Sequence, residues 1–278
     1  MEIGPRTLAF SFAAALTIAL FLASGQSGAF PIQDSQWEQG KRDLAEGKAK
    51  EAQEVFEGLL KKYPRAPEVH LFLALASLRL RDARAAELHL KTAVGLDPGN
   101  VEARTLLGWV QLEIRKDYSA AVDEYSRVVK LRPNSAEAYN NLGVALEKKG
   151  ELVPAIESFN RALKLRANDS QALSNRGWVY ARQKKILEAR RDFEEALRLD
   201  PKHEGALYGL SQVLREERDY AGAQRALKSL IAQSPNFVYW LEWARVWCVR
   251  YYWVLLLIAA LLFLQGRFRK AVKNSDGS

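Results

Sequence analysis

The chain holds a single cysteine, Cys248, so no internal disulfide forms and no zinc site built on several cysteines is available. Histidine is equally scarce. His70, His89 and His203 stand far apart in the sequence, and no two of them have metal-ligand spacing. No phosphate-binding glycine loop, dinucleotide fingerprint, HExxH, GxSxG or CxxC occurs, and the carboxylates fall at solvent positions or helix starts. The reading is therefore of a chain that is not an enzyme and carries no cofactor or metal. A strongly basic stripe is missing too. The formal charge is +8, but both signs alternate along the chain. The carboxy-terminal residues 237–278 hold six basic residues against two acidic ones, which concentrates the excess in a tail and excludes nucleic acid as the expected partner.

Present instead are two apolar ends around a long middle. Residues 1–30 place Arg6 before an apolar run from Leu8 to Ala23, followed by small residues such as Ala23-Ser24-Gly25. That is the layout of a secretory signal peptide or of an uncleaved signal-anchor helix. Near the other end, residues 238–265 read as a capping helix that continues into a transmembrane helix, and 266–278 as a basic, disordered tail. Tyr251 to Gln265 alone spans only about 22 Å, against a bilayer core of about 30 Å. Starting at Val246, with Arg250 reaching along the helix to water, covers about 30 Å. Trp243, Trp247, Tyr251, Tyr252 and Trp253 crowd one side like an interfacial aromatic belt, with Arg267 and Arg269 on the other. The alternative is a hydrophobic helix buried on the domain. The basic flank leaves the tail in the cytoplasm and the middle of the chain outside it, with the lipid bilayer as a partner.

The middle repeats itself. Pro64, Pro98, Pro133, then Ala167, Pro201 and Pro235 recur every 34 or 35 residues. Small residues keep step at Gly40, Ala74, Gly108, Gly143, Gly177 and Ser211. So do alanines at Ala52, Ala86, Ala121, Ala155, Ala189 and Ala223, with Phe56, Leu90, Tyr125, Phe159, Phe193 and Leu227 four residues on. A small residue lets two helices approach, a large one fills the space beside it, and proline stops the second helix. Each helix pair exposes an apolar face that stacking buries.

These positions resemble the tetratricopeptide repeat, a helix–turn–helix of 34 residues. The resemblance implies an all-α, right-handed superhelical solenoid over 32–237. Its six repeats are 33–66, 67–100, 101–135, 136–169, 170–203 and 204–237. The third has one extra residue, expected in the turn Arg115 to Ser119. One unbroken helix from about Asn236 to Leu264 is expected to cap the array and enter the membrane.

The resemblance further implies a concave groove lined by fixed positions of each first helix, and a protein partner held there as an extended segment. Carried over repeat by repeat, these are Leu71, Phe72, Leu75 and Leu78, then Thr105, Leu106, Trp109 and Leu112. Next come Asn140, Asn141, Val144 and Lys148, then Ser174, Asn175, Trp178 and Arg182, and last Tyr208, Gln212 and Arg215. Trp109 and Trp178 share one position, either as anchors for a partner or packed on the neighbouring repeat. Asn141 and Asn175 share another. An asparagine amide both donates and accepts, so it pairs with the backbone of a peptide of any sequence. The pair resembles two rungs of the asparagine ladder in O-linked N-acetylglucosamine transferase. Leu106 and Gly209 break it on either side. The expected function is a membrane-anchored scaffold that helps to assemble an envelope complex. Self-association through the apolar second repeat or the aromatic carboxy-terminal helix is the structural alternative. Family analogy adds an accessory role in polysaccharide secretion or cytochrome maturation.

Overall fold

The computed structural model describes residues 35–275, without the side chains of Leu255 and of residues 267–275. The signal or anchor segment 1–30 and the side chains of Arg267 and Arg269 lie outside the described residues. All regular structure described is helical, and the chain divides into two compact units at Asn168 and Asp169.

In the first unit, helices pair in chain order: α1 (Ser35–Ala45) with α2 (Ala49–Lys62), and α3 (Pro67–Arg79) with α4 (Ala83–Leu96). Helix α5 (Val101–Trp109), extended by a π-helical turn Val110–Arg115, pairs with α6 (Tyr118–Leu131), and α7 (Ala136–Lys149) with α8 (Leu152–Leu165). The second unit pairs α9 (Ser170–Arg182) with α10 (Ile186–Leu199) and α11 (Glu204–Glu216) with α12 (Tyr220–Gln233), then ends in α13 (Phe237–Ser275).

The small-on-large rule read from the sequence is the packing rule of the four pairs in which the small residue is glycine. A Cβ built on Gly143 would lie 2.7 Å from the Phe159 ring, one on Gly40 2.8 Å from Phe56, and one on Gly177 2.9 Å from Phe193. Ala52, Ala86, Ala121, Ala155, Ala189 and Ala223 are all fully buried. Any larger side chain there would force the helices apart.

Each pair turns in one way. Gly47, Arg81, Lys116, Gly150, Lys184 and Arg218 all have positive φ, and each directly precedes the residue that opens the second helix. Four of these six are not glycine, so the left-handed residue was hidden from sequence reasoning. After it, Asp82, Asp117 and Asp219 accept backbone N–H groups of the first turn at 2.8–3.1 Å, satisfying donors the helix leaves open. Asp117→Ala is expected to cost about 1 kcal/mol, read as a lower unfolding temperature with helix content unchanged.

The turn Lys116–Asp117 has this same form, so the extra residue of the 35-residue repeat is not in the turn, contrary to the expectation for Arg115 to Ser119. It is absorbed just before, in the π-helical turn, where one additional residue widens the helix without altering the exit.

Helix α13 is continuous through Arg250, as expected, but it bends by 45° between Val254 and Leu256. No proline or glycine lies at the bend. It falls where packing ends: upstream, Tyr239 and Val246 are buried among Leu207, Leu214, Leu227 and Leu230, and from Leu256 to Leu264 every residue is exposed. No single helix among the described residues is long and apolar enough to cross a membrane. The two arms, Phe237–Val254 and Leu256–Gly266, meet that length and composition only together.

Candidate functional site

The groove positions carried over from the repeat sort into three environments. In α3, every residue from Val69 to Ser77 is buried. Phe72 and Leu75 belong to a core with Trp37 and Phe56, and Leu71 to a core with Leu90 and Leu107. These positions of the second repeat are therefore core and not an open groove. Periodicity alone does not tell a helix buried all round from a one-sided one.

The tryptophans pack. Trp178 is half-buried, donates its indole N–H to the Gly205 carbonyl at 3.2 Å, meets the Phe193 ring edge-on at 5.4 Å and lies 5.9 Å from the Tyr208 ring. Tyr208 in turn sits 5.8 Å from Tyr239. Trp109 is half-buried beside Leu71, Leu107 and Val110, but its indole nitrogen is buried with no hydrogen-bond partner.

Of the polar positions, Ser174 is buried and the others line helix surfaces. Asn140, Asn141 and Lys148 of α7 are half-buried, and Arg182 of α9 is exposed. Asn175 accepts from Gln171 at 3.0 Å. Gln212 accepts from Arg215, which also pairs with Glu242 of α13 at 3.0 Å. Asn141 makes no side-chain hydrogen bond among the described residues. Gly209, a missing rung of the asparagine pair in the sequence, is a packing residue. A Cβ there would stand 2.3 Å from the Phe193 ring, closer than at any other glycine described.

Along α13, Trp247, Tyr252 and Trp253 are exposed, Trp243 is half-buried on the Leu207 cluster, and Tyr251 is half-buried 5.3 Å from the Trp247 ring. Arg250, expected to extend toward water, is half-buried. It donates to Gln224 at 2.7 Å and rests 5.0 Å from the Tyr251 ring, tying α13 to α12.

The histidines correct the sequence reading. His70 and His89 meet across α3 and α4, their Nδ1 atoms 3.1 Å apart. Burial lowers the pKa of both, and the neighbouring His70 lowers His89 further; the Pro64 backbone partly offsets this at His70, and Glu57 at His89. Burial also lowers His203, whose Nδ1 accepts the Ala206 N–H at 3.1 Å and so caps α11. The fold thus favours neutral imidazoles. That stability is complete above the ordinary histidine pKa of about 6.5 and is lost as pH falls below it. The unfolding temperature is expected to drop between pH 7.5 and 5, with a shallower drop in His89→Gln.

Paired helices of like length, turned by one left-handed residue and locked by one small-on-large contact, define a helical-repeat protein. The repeat is the tetratricopeptide. Family models for it match residues 43–110, 112–150, 136–169, 170–203 and 205–236, so this chain carries tetratricopeptide repeats. No curated protein matches it by sequence. Among solved structures, MamA is 26% identical with a TM-score of 0.55, over 63% of this chain and 97% of its own. YrrB, described as a tetratricopeptide protein with an unusual peptide-binding site, is 20% identical with a TM-score of 0.53, over 68% and 97%. PilF of Pseudomonas aeruginosa is 18% identical with a TM-score of 0.63, over 76% and 95%. The last two likenesses show the fold.

Proposed function

We propose that this chain is a membrane-anchored scaffold of six tetratricopeptide repeats over 33–237. Its concave groove binds an extended segment of a partner protein and so helps to assemble a complex of the cell envelope. The amino-terminal segment directs export or anchors the chain. The carboxy-terminal helix crosses the bilayer, its two arms together supplying the length, so that the repeats lie outside the cytoplasm and the basic tail inside.

The observation that carries the binding role is unspent hydrogen-bonding capacity on the first helices. Asn141, half-buried at the surface, has no side-chain partner among the described residues and keeps a donor and an acceptor. A peptide backbone pairs with both at once. Support for the anchor is the exposed apolar surface from Leu256 to Leu264, which water disfavours and lipid accepts. YrrB illustrates that this fold accommodates a peptide site.

Asn141→Ala combined with Asn175→Ala tests the reading. Each lost side chain removes about 0.5–1.5 kcal/mol of hydrogen bonding, so capture of the partner in a pull-down is expected to weaken about tenfold with folding intact. Unchanged capture would remove the asparagines from the site.

A further inference from the structure

The His70–His89 pair has no part in the groove reading. Both rings are held by paired helices: His70 is only 8% exposed on α3, and His89 is half-buried on α4. Their centroids are 5.4 Å apart and their planes are tilted by 38°. Two neutral imidazoles facing Nδ1 to Nδ1 at 3.1 Å share one proton between two lone pairs. With both lone pairs free, the same separation suits two ligands of one cation. At metal–nitrogen bonds of about 2.0–2.1 Å, cis ligands in a square plane stand about 2.9 Å apart and tetrahedral ligands about 3.3 Å.

We propose that His70 and His89 form a binding site for one late first-row divalent cation, with Cu2+ held more tightly than Ni2+ or Zn2+. Two observations beyond the distance support it. The rings are fixed between the paired helices α3 and α4, His70 buried and His89 half-buried, so a cation meets two ligands already in place. The charge of Glu57 reaches His89 and favours a cation there. No group of three or more histidine, cysteine, aspartate or glutamate side chains able to hold a metal exists among the described residues, so water completes the coordination. An open site with two imidazoles is unlike a closed zinc site, and its order of affinity follows the general order for these ions.

The test is a Cu2+ titration of the full chain, followed by electron paramagnetic resonance to count coordinating imidazole nitrogens. The parent is expected to bind one equivalent through two imidazoles. His70→Gln and His89→Gln are each expected to weaken binding at least tenfold and to lose the two-imidazole signal, while His203→Gln leaves both unchanged. Fewer than two imidazoles in the parent would overturn the proposal. So would a two-imidazole signal that survives either substitution. His89 is the less buried ring, so its variant decides the matter should His70→Gln fail to fold.

Discussion

Gly209→Ala is expected to lower the unfolding temperature of the carboxy-terminal unit by about 2–12 °C, the largest effect expected of an added methyl at any described glycine. The added carbon would stand 2.3 Å from Phe193 Cζ and 2.5 Å from Cε1. Phe193 is fully buried and is already in contact range of Gly177 on its other neighbour, so the ring has nowhere to retreat. Overpacking of this kind costs about 1–3 kcal/mol, and at roughly 2–4 °C per kcal/mol the shift follows. Gly58→Ala is the control. It lies inside α2 with nothing within 4 Å of the added carbon, so it should stabilise by about 0.5–1 kcal/mol through helix propensity. Calorimetry of the two variants checks both signs. A neutral Gly209→Ala would mean that the close approach of α10 and α11 is not what holds the unit.

Ending the chain after Phe237 is expected to destabilise the second unit strongly, whereas ending it after Val254 is not. The last repeat does not finish its own core. Leu207, Leu214, Leu227 and Leu230 are covered by Tyr239 and Val246 of α13, with Trp243 beside them. Each large apolar side chain so buried contributes about 1.5–3 kcal/mol, and the shorter chain loses two buried ones together with the Arg215–Glu242 and Arg250–Gln224 contacts. It should aggregate or unfold well below the longer chain, since a repeat array needs its end covered. Thermal unfolding and light scattering of the two truncations separate these outcomes. Equal behaviour would show that α13 is not part of the folded core.

Much of the fold was legible because the repeat writes each packing contact several times. Gly143 and Phe159 alone would be an anecdote. With Gly40 and Phe56, Gly108 and Tyr125, and Gly177 and Phe193 they are a rule, and it is the rule observed. What stayed hidden was whatever the repeat does not enforce. Arg81, Lys116, Lys184 and Arg218 adopt the left-handed turn without glycine to announce it. The extra residue near Lys116 entered the helix as a π turn, which no local residue type signals. The bend in α13 marks the limit of packing, not a helix breaker.

The site was less legible than the fold for a physical reason. A face assigned by register is silent about depth: Leu71, Phe72 and Leu75 hold groove positions and are buried, while Asn141 on the same register keeps its amide unengaged. Nor does register place side chains on different helices. Residues 70 and 89 looked unrelated until α3 and α4 folded back on one another and set their rings in contact.

The binding role requires that a partner segment lie along the first helices of a membrane-held chain. Photocrosslinking in native membranes asks this directly, with a photoreactive residue at position 141 and another at 187, where Leu187 is 65% exposed on a second helix. The prediction is one discrete protein adduct from position 141, diminished by Asn175→Ala and absent from position 187, with the chain retained in membranes after an alkaline wash. Equal adducts from both positions, or none from 141, would contradict it.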